Sequence, residues 1–155
     1  MRLSDILTKD RILVDRAGAL PSKAAALHAL AGLLGSAVSA PESEVLALLL
    51  EREQLQSTGI GDGVAIPHSA LEHAEAQAGA LLLFPQGLDF DAIDGQPVHI
   101  VFGVVGPKRA TGEHLRTLAR ISRLLRDEAT RKQLANAESS QAAFALIESH
   151  DAATK

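Results

Sequence analysis

Ser57-Thr58-Gly59-Ile60-Gly61-Asp62-Gly63-Val64-Ala65-Ile66-Pro67-His68 is a glycine-punctuated turn that feeds a short apolar strand and stops at Pro-His. The glycines permit positive φ and close backbone approach, Val64 to Ile66 are strand formers, and Pro67 keeps Ile66 extended while removing a ladder donor. The strand is therefore expected to end near His68. That places one imidazole at the carboxyl end of a strand beside a loop, where open α/β sheets carry their chemistry.

The flanking sequence supplies the rest of such a sheet. Ala78 to Phe84 and Val98 to Val105 are nearly continuous apolar runs, the pattern of strands covered on both faces, and Arg11-Ile12-Leu13-Val14 reads as a first strand. Ser22 caps a helix in which Leu27, Leu30, Ala31, Leu34 and Val38 recur at helical spacing before Pro41. A second helix is expected over Glu42 to Leu55, opened by acids that favour its dipole. Further helices are expected from Thr111 to about Arg126, across Ala129 to Ala137, and from about Ser139 to Ser149. These elements predict a single compact α/β domain over residues 1–150, with helices on both faces of the central sheet, and a frayed tail over 151–155.

Composition limits the chemistry. The chain has 155 residues, of which 46% are hydrophobic and only 3% aromatic, so alanine and leucine must fill one core. It has no cysteine, which excludes disulfides, zinc-thiolate sites and a cysteine nucleophile, and is compatible with a reducing cytoplasm. Asp5, Lys9 and Asp10 stand where an export segment would be apolar, and the uncharged stretch Ala24 to Ala40 is interrupted by His28, Gly32 and Gly35. No direct membrane insertion is expected. The formal charge is −4, yet residues 108–132 hold eight basic against three acidic residues, a net +5. Nucleic acid binding is one reading of that stripe. The solvated face of a helix is the preferred reading, because no aromatic platform or known DNA-binding pattern accompanies the stripe, and a docking surface for a protein partner is the remaining alternative.

Two residues far from His68 in sequence are candidates to join it. Arg52 is the only basic residue between Lys23 and Lys108, a span containing ten acids, and it extends the Val45, Leu48, Leu49 stripe by one helical step, so it is expected to face the sheet. A guanidinium is a planar fork of donors suited to phosphoryl oxygens; the alternative is a structural arginine paired with Glu51 or Glu53. His114 heads the stripe Leu118, Ile121, Leu125 in the first turn of its helix. There the partial positive charge of the helix end favours a neutral imidazole able to donate one N–H to an anion. The alternative is a buried histidine satisfied by a backbone carbonyl. Ser57 and Thr58 can hydrogen-bond the turn or a phosphoryl group. His28, His99 and His150 read as structural or solvated, and a metal site shared by His68 and His73 lacks supporting ligands. The glycine pattern precedes its strand and has no following Lys-Ser/Thr, which argues against nucleotide binding.

Leu3-Ser4-Asp5-Ile6-Leu7, Glu51-Arg52-Glu53, the segment through His68, Phe90-Asp91-Ala92-Ile93-Asp94-Gly95-Gln96-Pro97-Val98 and Glu113-His114-Leu115 together closely resemble enzyme IIA proteins of the fructose/mannitol type in the bacterial phosphoenolpyruvate-dependent phosphotransferase system, nearest the nitrogen-regulatory branch. The resemblance implies a mixed, mostly parallel sheet. It also implies a phosphoryl group accepted on Nε2 of His68 from an HPr-like phosphocarrier, charged by Enzyme I and phosphoenolpyruvate, with Nδ1–H held by a backbone carbonyl. Arg52 and His114 would complete the site, without metal or cofactor, in a cytoplasmic protein. The nitrogen branch implies a regulator whose phosphorylation state controls partners such as potassium-transport or sensor-kinase components. The alternatives are a sugar-transport enzyme IIA that passes phosphate to a separate IIB protein, and an interaction module that keeps only the fold. A metal-dependent hydrolase is a further competing class.

Overall fold

The computed structural model describes residues 2–153. A short helix α1 (Leu3–Ile6) precedes strand β1 (Ile12–Val14) and helices α2 (Lys23–Val38) and α3 (Glu42–Leu55). Strands β2 (Gly59–Gly61), β3 (Val64–Ala65), β4 (His68–Leu71), β5 (Ala78–Leu88) and β6 (Val98–Pro107) follow, and then helices α4 (Thr111–Arg126), α5 (Glu128–Ala135) and α6 (Ser140–Ala153). The capping expected at α2 is present, with the Ser22 hydroxyl accepting from the Ala25 amide at 3.1 Å.

The sheet is mixed and runs in the order β1-β5-β6-β3-β2, with β4 also on β6. β1 pairs parallel with β5, and β3 and β4 pair parallel with β6, whereas β5/β6 and β2/β3 are antiparallel. Side chains of β5 alternate between two cores. Ala80, Leu82 and Phe84 pack with Leu27, Leu30, Leu34, Val45 and Leu49 of α2 and α3, while Leu81 and Leu83 pack with Leu3, Ile121, Leu124, Leu134 and Ile147 from the other helices. Helices therefore cover both faces, as the unbroken apolar strands require. The fit is close where α2 crosses β6, since a Cβ on Gly103 would stand 2.5 Å from Leu30 Cδ2.

Three expectations are corrected. The strand through Val64 does not end at His68: pairing pauses at Ile66 and Pro67 and resumes in β4. Val64 pairs with Ile100 and His68 with Val104, the same offset of 36 residues, so the register on β6 is kept across the pause. Pro67 lacks an N–H, but its carbonyl accepts from the Val104 amide at 3.0 Å and holds the two segments in line. Second, Gly59 to Gly61 is not part of a turn but a strand of its own, paired with β3 around a tight reversal at Asp62 (φ 58) and Gly63 (φ 76). Third, of the tail expected over 151–155, residues 151–153 are not frayed, and residues 154 and 155 lie outside the described residues. Helix α6 continues to Ala153, and the carboxylate of Asp151, 3% exposed, accepts from the Leu3 and Ser4 amides at 3.0 and 2.9 Å. It satisfies the free N–H groups of α1 and ties the two ends of the chain together. β5 also runs past Phe84 to Leu88, through a register shift after Leu83.

Candidate active site

The pause at Ile66-Pro67 turns the His68 ring back on its own strand, so that Nδ1 lies 2.7 Å from the Ile66 carbonyl. A carbonyl only accepts, so Nδ1 carries the proton and donates it, and Nε2 is left with a free lone pair. His68 lines a cleft of about 250 Å³ with Arg52, Gln56, Ser57, Thr58, Ile60, Ile66, Ile93, Leu118 and Ser122. Three walls are thus the end of α3, the β2–β3 hairpin with the loop that follows β5, and α4. Hairpin and loop are clasped by the Ile93 amide donating to the Gly59 carbonyl at 2.9 Å. A Cβ on Gly59 would meet Ala92 at 2.9 Å, so this approach needs glycine.

His114 comes from the first turn of α4 to within 5.8 Å of His68, centroid to centroid, with the rings tilted by 48°. Burial lowers its pKa, and the neighbouring His68 lowers it further, so His114 is neutral near pH 7. Its Nδ1 is sealed from solvent and has no hydrogen-bond partner among the described residues, which is not the carbonyl-satisfied alternative. A buried unpaired N–H is costly, so the proton belongs on Nε2. Gly106 lies beneath the ring, where a Cβ would stand 3.5 Å from Nδ1 and 2.9 Å from Gln77.

Arg52 reaches the cleft but not the sheet. It is half-buried at the last turn of α3, and Nη1 donates to the Gln56 carbonyl at 2.9 Å, capping the helix that carries it. Neither neighbouring glutamate pairs with it among the described residues, and Glu53 is taken instead by Lys23 at 2.8 Å. Ser57 and Thr58 line the cleft with their hydroxyls already engaged. Ser57 Oγ donates to the Phe90 carbonyl and accepts from the Gly59 amide, and Thr58 Oγ1, on a residue 2% exposed, donates to Glu53. Both therefore shape the turn.

Sequence reasoning missed Glu53 as an organiser: it accepts from the Thr58 amide at 3.1 Å while pairing with Lys23. The only signal was its place in Glu51-Arg52-Glu53. The other histidines lie elsewhere. His73 shares a separate hollow with Glu44, Glu72 and Lys108; His28 meets Glu42 at the surface; His99 holds the Phe84 carbonyl at 2.9 Å beside a larger hollow of about 340 Å³.

An imidazole held through Nδ1, a second imidazole whose pKa is lowered by burial, and a guanidinium fork suit the transfer of an anionic group between nitrogens. Comparison with known proteins gives that chemistry a family. The family model described as phosphoenolpyruvate-dependent sugar phosphotransferase system, EIIA 2, matches residues 5–150. The chain belongs to that family. This EIIA 2 domain is 37% identical over 147 residues to a nitrogen regulatory protein of Bradyrhizobium diazoefficiens, covering 95% of each chain. It is 37% identical over 150 residues to a nitrogen regulatory protein of Pseudomonas aeruginosa, again covering 95% of each. Among solved structures, nitrogen regulatory protein IIA-Ntr of Neisseria meningitidis superposes with a TM-score of 0.85 at 32% identity, over 94% of this chain and 98% of that one.

Proposed function

We propose that this EIIA 2 domain accepts a phosphoryl group on Nε2 of His68 from an HPr-like phosphocarrier, itself charged through Enzyme I from phosphoenolpyruvate, and acts in the cytoplasm as a regulator. The observation that supports the reading is the 2.7 Å contact from His68 Nδ1 to the Ile66 carbonyl, which favours the Nδ1–H tautomer and leaves the Nε2 lone pair free on a residue that lines the cleft. In the transfer, that lone pair forms a new N–P bond in line with the N–P bond that breaks on the carrier. The carrier's imidazole recovers the electron pair of its broken bond, and no proton need leave His68 because Nδ1–H stays on the carbonyl.

Arg52 and His114 stabilise the moving charge. The guanidinium can turn from the Gln56 carbonyl to two equatorial oxygens, and Nε2–H of His114 can donate to a third. The N–H groups at the start of α4 add partial positive charge. Ser57 and Thr58 hold the turn and are not expected to touch phosphate unless their present bonds break. A regulatory output rests on relatives at 37% identity that are called nitrogen regulatory proteins and that this chain matches over nearly their full length.

Incubation with phosphoenolpyruvate, Enzyme I and an HPr-like carrier tests the reading. One acid-labile, base-stable phosphoryl group per chain is expected, and it should be absent from folded His68→Ala. Full labelling of that variant would refute the assignment.

A further inference from the structure

Helix α4 presents a charged surface that the fold does not use. Its inner side is accounted for: Thr117, Ile121, Leu124 and Leu125 are buried, and Leu118 and Ser122 line the cleft beside His68. The outer side carries Arg116, Arg120, Arg123 and Arg126, with Leu115 60% exposed among them. The other basic residues of the 108–132 stripe have partners. Lys108 meets Glu72, Arg109 donates to the Ala74 carbonyl, Arg131 caps the end of α4 at the Leu125 and Arg126 carbonyls, and Lys132 pairs with Glu128.

The four arginines differ. Among the described residues none of them forms an ion pair or donates a side-chain hydrogen bond, and the one carboxylate of α4, Glu113, is bonded to Gln77 at 2.8 Å. Spaced three and four residues apart, they face one another along the helix, an arrangement that weakens it. Their surroundings are also distinctive. Arg126 shares a hollow of about 190 Å³ with Ile60 and Ser122, and Ile60 and Ile93, 54% and 62% exposed, line the cleft on its far side. Exposed apolar anchors beside unpartnered arginines make a surface of the kind that proteins bury against each other.

We propose that this face of α4, with Leu115, Ile60 and Ile93, docks an acidic segment bearing apolar side chains on a partner protein, and that a phosphoryl group on His68 weakens the docking. The second half rests on the phosphoryl-accepting reading above. A protein is favoured over nucleic acid by two features. Asp62, Asp91 and Asp94 are exposed beside Ile60 and Ile93, Asp62 in the same hollow as Arg126, so a ligand must set its acids over α4 and apolar groups over the two isoleucines, which a long uniform polyanion does not do, and no fully exposed aromatic ring offers a base a stacking platform, since Phe84, Phe90 and Phe102 are buried and Phe144 partly so. A dianion on His68 adjoins the same cleft, within a few screening lengths of the docked carboxylates, and repels them while offsetting the arginine field.

Fluorescence anisotropy with a labelled peptide of alternating aspartate, glutamate and leucine tests this, beside its lysine counterpart and a short DNA duplex. The acidic peptide should bind at least about tenfold tighter than the lysine peptide, and its affinity should fall as salt rises from about 50 to 300 mM. Combined Arg116→Gln, Arg123→Gln and Arg126→Gln should lose most of that binding with the fold intact by circular dichroism, and Glu replacements should lose more. Phosphorylated protein should bind the acidic peptide roughly three- to tenfold more weakly. Equal affinity for the two peptides, or unchanged affinity in folded variants, overturns the docking surface; tighter binding of the duplex than of the acidic peptide overturns the assignment to protein. Unchanged affinity after full phosphorylation of His68 overturns the switch. If His68 takes no phosphate, the phosphoryl reading fails, while the unphosphorylated affinities still decide the surface.

Discussion

Replacing His114 separates transition-state stabilisation from packing. Its ring stands 5.8 Å from that of His68, close enough for a phosphoryl group on Nε2 of His68 to meet a donor on the second ring, and its lowered pKa keeps it a neutral donor. One hydrogen bond to a charged acceptor contributes about 1.5–3 kcal/mol, which is roughly tenfold to hundredfold in rate if the bond is made in the transition state. His114→Ala should therefore still accept phosphate on His68, with transfer slower by about that factor. His114→Gln, which keeps an N–H near the same place, should recover part of the loss. Rapid-quench phosphorylation of the three proteins by one carrier measures it.

The same substitution has a signature in stability. Because the folded pKa of His114 lies below the ordinary value of 6.5, the unfolded chain binds more protons in that interval, so its contribution to stability is full above pH 6.5 and declines as pH falls through the interval. In His114→Gln this part of the pH dependence should vanish from urea unfolding followed as pH falls below 6.5. Equal transfer rates in all three proteins, with the pH dependence removed, would leave His114 a buried structural ring and refute the reasoning.

Other substitutions test neighbouring parts. Arg52→Lys keeps the charge but loses the fork, so phosphoryl transfer should slow while the melting temperature stays near the parent's; a large stability loss with normal transfer per folded molecule would favour a helix-capping role alone. Asp151→Ala removes the acceptor of the Leu3 and Ser4 amides and should cost about 2–4 kcal/mol in urea unfolding, with the exchange of those two amides accelerated first. Gly103→Ala pushes a methyl to within 2.5–2.8 Å of Leu30 and should destabilise by about 1–3 kcal/mol, a loss that Leu30→Ala should partly relieve in the double variant.

Much of this was legible along the chain because the signals are local. Ser22 and Pro41 mark helix ends by their own chemistry, and the apolar runs from Ala78 and Val98 announce strands sealed between helices. What escaped depends on residues far apart in sequence. Pro67 reads as the end of a strand, and only β6, with the Val104 amide aimed at the Pro67 carbonyl, carries the pairing onward through His68. Asp151 reads as part of a polar tail, since the amides that bury it lie 148 and 147 residues away. His68, His114 and Arg52 were singled out from helix stripes and the Pro-His stop; His68 and Arg52 line one cleft, and the His114 ring stands 5.8 Å from that of His68. The orientation of Arg52 was not found, because the open carbonyl of Gln56 at the end of α3 draws the guanidinium away from the sheet. Ser57 and Thr58 were identified by type, but their hydroxyls are engaged by Phe90 and Glu53, a pairing that no spacing rule reveals.

The central claim is that the Ile66 carbonyl holds Nδ1 of His68 and leaves Nε2 to take the phosphoryl group. Nitrogen-15 labelling of the histidines, followed by NMR before and after phosphorylation at alkaline pH, reads this directly through one-bond coupling to phosphorus. The account predicts a single new coupling on Nε2 of His68, with the other five histidines uncoupled. Coupling on Nδ1 of His68, or on any other histidine, would contradict it.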